Sequence, residues 1–312
     1  IMAVPMQVGL LTGVLSYVLQ VLNSLMMISN VFLMLSRSTA SVSRICEVLD
    51  EIPDIADGPG GVEVTRGEID FEHVSFKYSA SAKEAVLSDI CLHIPAGSTV
   101  GIVGGTGSAK TSLVQLIPRL YDVSAGSLKI DGRDVREYTV AHLRRAVGMV
   151  LQNNTLFSGT IRENLRWGNE DASDAELDRA CAASCADEFL DRFPDGYNTD
   201  LGQGGVNVSG GQKQRLCIAR ALLRRPKVLI LDDSTSAVDT ATEAKIRERI
   251  SRELRDSTKI IITQRVAAIE GADLIVVLNN GRIDAVGTHG ELMERSRIYR
   301  DICEYQRKGA AV

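Results

Sequence analysis

A strand-like run, Thr99-Val100-Gly101-Ile102-Val103, passes without a break into Gly104-Gly105-Thr106-Gly107-Ser108-Ala109-Lys110-Thr111. Strand, glycine loop and helix start in that order constrain the chain more than any other segment. Glycines let backbone N–H groups turn toward phosphate oxygens, and the helix N-terminus adds partial positive charge. Lys110 then reaches the outer phosphates, Thr111 offers a hydroxyl to magnesium, and Ser112 belongs to the same cradle. A turn that is only glycine-rich lacks both the Lys-Thr pair and the helix behind it. One position departs from the pattern GxxxxGK[ST]: Ala109 stands where glycine is expected. Its methyl group is placed to crowd a phosphate, so binding is expected to survive while its strength is left open.

A second run, Val228-Leu229-Ile230-Leu231, reads as a buried parallel strand that delivers the carboxylate of Asp232 beside the phosphates. Asp232 is expected to hold magnesium through water. Asp233 follows where a general base or water-orienting group belongs, and an acidic pair at a buried strand's end needs a cation or donors nearby. Ser209-Gly210-Gly211-Gln212 opens another helix, with an apolar register through Leu216, Ile218, Ala221 and Leu222 that stops at Pro226. That turn has no lysine, so it reads as a second contact to a phosphate held mainly elsewhere. Alone, it is only a helix cap.

Charge is spread unevenly. Residues 1–36 contain no Asp, Glu, Lys or Arg, although charged residues make up 24% of the 312. As a helix this stretch reaches about 54 Å, beyond the roughly 30 Å of a hydrocarbon layer. The span is expected at about Leu10 to Leu33, with Pro5, Gln7 and Gly9 in an interfacial loop before it. A basic leader and a small-residue cleavage pattern are both missing, so the segment is not read as a signal peptide. Arg37 and Arg44 come next and place the rest of the chain in the cytoplasm. Gln20, Asn23, Ser24 and Asn30 either line a substrate route or hydrogen-bond to neighbouring helices. One span cannot enclose a route, and a chain beginning at Ile1 is read as the C-terminal portion of a multi-pass protein. Ser38–Glu51 continues as a helix, with Val42, Ile45, Cys46 and Leu49 on one face, ending near Pro53. Asp57-Gly58-Pro59-Gly60-Gly61 marks a domain boundary.

The net charge of −5 and scattered aromatics exclude a basic groove or a base-stacking platform, so nucleic acid is not an expected partner. Cys46, Cys91, Cys181, Cys185, Cys217 and Cys303 form no CxxC pair and read as reduced cytosolic thiols. Cys181 and Cys185, at i and i+4, are expected to pack in the core. His73, His93, His142 and His289 lie apart without ligand spacing and read as solvated or packed.

Taken together, Gly104 to Thr111, Gln152, Val208-Ser209-Gly210-Gly211-Gln212, Leu231-Asp232 and Ser236-Ala237-Val238-Asp239 resemble the ATP-binding cassette of ABC transporters in order and spacing, over about residues 66–309. With the uncharged span in front, the chain resembles the end of an exporter half-transporter. The resemblance implies an α/β P-loop NTPase fold: a mixed-sheet core, an antiparallel β subdomain and a helical subdomain at about 153–208. A capping box at Ser173 to Glu176 supports that last part independently. Residues 1–36 become the last transmembrane helix and 37–65 a cytoplasmic extension and linker. Implied cofactors are ATP and Mg2+. Tyr78 would stack on adenine, Gln152 would contact magnesium and couple to the membrane domain, and Asp239 would lie at a dimer interface. Phe157 would face the coupling helices of the membrane part or pack in the core. In this family two cassettes sandwich two ATPs, the serine-glycine turn of one closing over the glycine loop of the other. A second half-transporter, membrane lipid and an amphipathic transported substrate are the implied partners, in the bacterial plasma membrane with the cassette in the cytoplasm.

Three residues depart from the family pattern. Asp233 replaces a catalytic glutamate and is one methylene short, whereas a general base must lie within about 2.6 to 3.2 Å of the water. Gln264 replaces a switch histidine and can donate a hydrogen bond but not carry charge. Gln203 stands where exporters commonly have glutamate. With Ser209 to Gln212 intact, the combination resembles the degenerate-site subunit of a heterodimeric bacterial multidrug exporter, a homodimer being the other arrangement. The competing reading is a regulatory ATP-binding subunit with little turnover.

Overall fold

The computed structural model describes residues 3–79 and 81–309; Ile1 and Met2 of the expected membrane segment lie outside the described residues. Helix α1 (Ala3–Leu49) runs for 47 residues. The interfacial loop expected at Pro5, Gln7 and Gly9 is helical instead, because Pro5 falls in the first turn, where a missing N–H leaves no bond unmade. At 1.5 Å per residue α1 is about 70 Å long. Mean hydropathy reaches 1.8 between Val8 and Leu49, enough to cross a membrane by length and composition. Several of its hydroxyls donate within the helix: Ser16 Oγ to Thr12 O at 2.9 Å and Ser24 Oγ to Gln20 O at 2.9 Å.

The chain separates into two compact units, Ile1–Asp54 and Ile55–Val312. In the second, the order is β1 (Ile69–Phe76), β2 (Leu87–Ile94), β3 (Thr99–Gly104), α2 (Lys110–Leu116), β4 (Ala125–Ile130), β5 (Arg133–Asp134), α3 (Val140–Ala146) and β6 (Val147–Val150). A helical stretch follows: α4 (Ile161–Arg166), α5 (Asp174–Ala183), α6 (Asp187–Leu190) and α7 (Gly210–Leu222). Then come β7 (Val228–Asp232), α8 (Thr240–Glu253), β8 (Thr258–Ile262), β9 (Leu274–Asn279), β10 (Arg282–Gly287), α9 (His289–Arg295) and α10 (Arg297–Gly309).

Two sheets result. The core sheet has the order β10-β9-β3-β8-β7-β6, parallel except where β10 pairs antiparallel with β9. Every residue of β7 is buried, as a strand covered on both faces requires. The other sheet is antiparallel, β2-β1-β4-β5. On β2 the alternation is plain: Ile90, Leu92 and Ile94 point inward while Asp89, Cys91 and His93 do not.

α4 to α6 pack on α7 through Leu165, Leu177, Phe189, Leu216 and Ile218. The expected capping box forms, with Ser173 N donating to Glu176 Oε2 at 3.0 Å. α5 ends at Ala183, so Cys185 sits beyond it in a left-handed conformation and shares no helix face with Cys181; both are buried. This is the mixed sheet, antiparallel β layer and helical layer of a cassette, with an apolar helix in front.

Candidate functional site

The glycine loop joins the end of β3 to α2. At Gly104 an added Cβ would meet Leu278 O at 2.2 Å, so the neighbouring strand leaves room for glycine alone. Lys110 Nζ donates to Gly104 O and Gly105 O, both at 2.9 Å, and lies 3.3 Å from Ser108 Oγ. The ammonium is thus held across the loop, beside the first amides of α2, which have no intrahelical partner. Burial lowers the pKa of Lys110, while Asp232 and Asp233 oppose the shift.

Ala109 caps α2 with φ 70° and ψ 25°, a left-handed conformation, and makes no side-chain cap. Its side chain packs against the core of the cassette. The left-handed conformation costs about 1 to 2 kcal/mol for an L-residue.

At the end of β7, Asp232 is only 4% exposed and stands beside the Thr111 hydroxyl. Burial raises its pKa; Thr111 and Lys110 work against that, and Asp233 adds to it. A buried carboxylate beside a hydroxyl is the oxygen-only donor set that suits a hard divalent cation, so these residues fit magnesium. Asp233 has φ 47° and its N–H donates to Ile262 O at 2.9 Å, which fixes it against β8. Gln152 Nε2 donates to Asp233 Oδ2 at 3.4 Å. Burial raises the pKa of Asp233 too, with Arg265 opposing.

A cavity of about 630 Å3 is lined by Gly104, Gly105, Thr106, Lys110, Gln264 and Gln306, among others. Gln264 thus faces the same cavity as the loop. Gln306 on α10 spans the same turn: its Nε2 donates to Gln264 O, and its Oε1 accepts from Val266 N at 2.8 Å. Tyr78 stands by α2, with its hydroxyl 2.8 Å from Ser112 Oγ and its ring edge-on to Tyr121 at 5.1 Å. Half of Tyr78 is exposed.

Ser209 and Gln212 are engaged with each other: Ser209 Oγ accepts from Gln212 N at 3.3 Å and Gln212 Oε1 accepts from Ser209 N at 2.9 Å. Among the described residues, no hydrogen bond or shared cavity joins Ser209, Gly210, Gly211 or Gln212 to the glycine loop of the same chain. Asp239 caps α8, accepting from Thr242 N at 2.9 Å. Its turn is tied on two sides. Gln214 Oε1 accepts from Ala237 N at 3.1 Å, and Arg265 Nη1 donates to Val238 O at 3.2 Å and to the buried Glu243 at 2.8 Å. Gln203 lies in a short 3-10 turn, Gln203–Gly205. Phe157 is half-exposed and stacks on Trp167 at 4.3 Å.

Sequence reasoning missed Tyr121, Gln214, Glu243, Arg265 and Gln306. Only Gln214 had a signal: a polar residue on the inward register of an apolar helix.

The two sheets, the glycine loop and the acid at the end of β7 define an ABC-type ATP-binding cassette. Residues 87–236 match the family model described as "ABC transporter". The chain is 42% identical over 304 residues to "Putative multidrug export ATP-binding/permease protein YgaD" of Bacillus subtilis (strain 168), covering 97% of this chain and 52% of that protein. It is 42% identical over 255 residues to "ABC transporter B family member 18" of Arabidopsis thaliana, covering 81% of this chain and 21% of that one. Among solved structures, a bacterial Atm1-family ABC exporter with ATP bound superposes with a TM-score of 0.83 at 34% identity, over 87% of this chain and 48% of that one. Residues 87–236 thus lie within an ATP-binding cassette similar to that of exporter-type ABC transporters. The chain spans about half the length of the bacterial relative and of the solved exporter.

Proposed function

We propose that this chain is the ATP-binding part of an exporter subunit that drives efflux of amphipathic small molecules. The observation that carries this is Lys110 held across the glycine loop on the carbonyls of Gly104 and Gly105, with the buried Asp232 carboxylate and the Thr111 hydroxyl beside it. Lys110 exchanges the carbonyls of Gly104 and Gly105 for phosphate oxygens, and the amides from Gly104 to Ser112 hold the rest of the triphosphate. Tyr78 supports the adenine. Thr111, Gln152 and Asp232 would hold Mg2+, which would neutralise phosphate charge when bound.

Asp233 orients the attacking water, and Gln264 donates to the terminal phosphate without carrying charge. Both choices slow hydrolysis at this site. The Ser209–Gln212 turn, which does not meet its own glycine loop, serves the loop of a partner cassette, and Asp239 lies at that interface. A heteromeric partner supplying glutamate and histidine accounts for an intact serine-glycine turn beside a weakened acid; a homodimer would carry two weak sites. α1 spans the bacterial plasma membrane with the cassette in the cytoplasm, and Phe157, stacked on Trp167, serves the coupling helices of the membrane part.

The competing reading, a regulatory ATP-binding subunit, is favoured by Ala109, Asp233 and Gln264 together. Substrate-stimulated ATPase of the purified pair separates the two. Disrupting Ser209 and Gly210 abolishes turnover in an exporter and leaves a regulatory subunit's complex nearly unaffected, whereas fast hydrolysis by the lone chain overturns both.

A further inference from the structure

The outer face of the antiparallel sheet gathers metal-ligating side chains that lie apart in the sequence. β1 and β2 pair at Phe71 with Leu92, Val74 with Ile90 and Phe76 with Leu87, so each strand carries one extra residue within a short stretch. In each bulge one non-glycine residue is left-handed: His73 (φ 51°) on β1 and Asp89 (φ 53°) on β2. The two bulges turn these side chains toward each other. His73 Nδ1 lies 2.7 Å from Asp89 Oδ1 and 3.4 Å from Cys91 Sγ. All three donor atoms fall within 4.8 Å of one another, and all three residues are exposed.

We propose that His73, Asp89 and Cys91 form a binding site for one zinc-class divalent ion. The donor set decides the class: an imidazole nitrogen, a thiolate and one carboxylate suit zinc and its relatives, whereas magnesium and calcium take oxygen alone. The spacing agrees. Tetrahedral bonds of about 2.0 to 2.3 Å set ligand atoms about 3.3 to 3.8 Å apart, which includes the His73 to Cys91 distance. The His73–Asp89 hydrogen bond opens by roughly half an ångström to admit the ion, and the Cys91 thiol gives up its proton. The fourth position is left to water.

His73 is also held in place from behind. Gly126 on β4 passes so close that an added Cβ would meet His73 O at 2.3 Å, so the bulge cannot relax without moving β4. Further along the same face, His93 Nδ1 lies 2.6 Å from Asp70 Oδ1, with Glu68 3.9 Å from the other ring nitrogen. That neighbouring group lacks sulfur and serves as an internal control.

The test is titration of the untagged full chain with Co2+ in the absence of nucleotide, followed by displacement with Zn2+. One equivalent binds, with a sulfur-to-cobalt charge-transfer absorption that Zn2+ removes. Cys91→Ser abolishes the absorption, His73→Ala and Asp89→Ala each weaken binding at least about tenfold, and His93→Ala leaves it within about twofold. All four residues are exposed, so these substitutions leave the core intact. Absorption that survives Cys91→Ser, equal loss in His93→Ala, or no charge-transfer band at millimolar Co2+ overturns the proposal.

Discussion

Gln152 donates its side-chain amide to the Asp233 carboxylate across 3.4 Å, linking the segment after β6 to the end of β7 on the neighbouring strand. The shorter acid is therefore not loose. It is held between this amide and the backbone bond from its own N–H to Ile262 O, one methylene behind where a glutamate would present its carboxylate. A misplacement of about 1 Å at a reacting group costs on the order of a hundredfold in rate. Asp233→Glu is expected to raise ATP turnover at this site by roughly tenfold to a hundredfold, and adding Gln264→His to raise it further, measured as phosphate release from the assembled pair. Unchanged turnover in both variants shows that the acid is not limiting.

Ala109 makes an unusual forecast. Glycine normally weakens a helix start by its flexibility, yet here alanine is left-handed at φ 70°. The gain from relieving about 1 to 2 kcal/mol of strain exceeds the entropy that glycine loses. Ala109→Gly is expected to stabilise the nucleotide-free cassette by about 1 kcal/mol, a rise of about 2 to 4 °C in Tm for a domain of this size. Calorimetry checks it, and a fall in Tm would show that the methyl contact with the core dominates.

Burial raises the pKa of Asp232 in the folded chain. The folded state then holds a proton that the unfolded state has already released, so stability falls as pH rises from the ordinary carboxylate range through the raised value. Asp232→Asn removes that penalty. Without nucleotide or magnesium the variant is expected to melt higher than the parent at pH 7, with the gap closing as pH falls below the usual Asp value. With magnesium and ATP present the order reverses, because only the carboxylate can serve the cation. A gap independent of pH would assign the effect to packing.

The parts of this fold that were legible in the sequence depend on neighbours along the chain. The β3 run, the glycine loop and α2 are contiguous, as are the apolar β7 run ending in Asp232 and the Ser173–Glu176 box. What was not legible depends on register or on distant elements. Pro5 reads as a breaker until its place in a first turn is known, and the left-handed φ of Ala109 has no sign in the sequence. His73, Asp89 and Cys91 read as unrelated because no spacing rule shows that β1 and β2 each gain a residue. Gln306 is 42 residues from the carbonyl it reaches.

That reach sets another expectation. Gln306 accepts from Val266 N while donating to Gln264 O, so one side chain closes the turn that carries Gln264. A net hydrogen bond is worth about 0.5 to 1.5 kcal/mol, which translates to roughly twofold to tenfold in local opening. Gln306→Ala is expected to speed amide exchange at Val266 by that factor while Ile260 in β8 stays protected. Equal acceleration at both would mean that α10 supports the sheet as a whole.

Tyr78 separates its ring from its hydroxyl. The hydroxyl meets Ser112 at 2.8 Å, whereas the ring lies edge-on to Phe76 at 4.8 Å and to Tyr121 at 5.1 Å, leaving a face for a planar base. Stacking of a base on an aromatic ring is worth about 1 to 3 kcal/mol. Tyr78→Ala is expected to weaken ATP binding by about tenfold to a hundredfold, and Tyr78→Phe by less than about threefold, because only the hydroxyl's bonds to Ser112 and Gln115 are lost. Stacking ignores the hydrogen-bonding edge of the base, so GTP should lose affinity in parallel with ATP when both are measured by calorimetry. Loss confined to ATP would place recognition in an edge contact, and equal loss in Ala and Phe would place it in the hydroxyl.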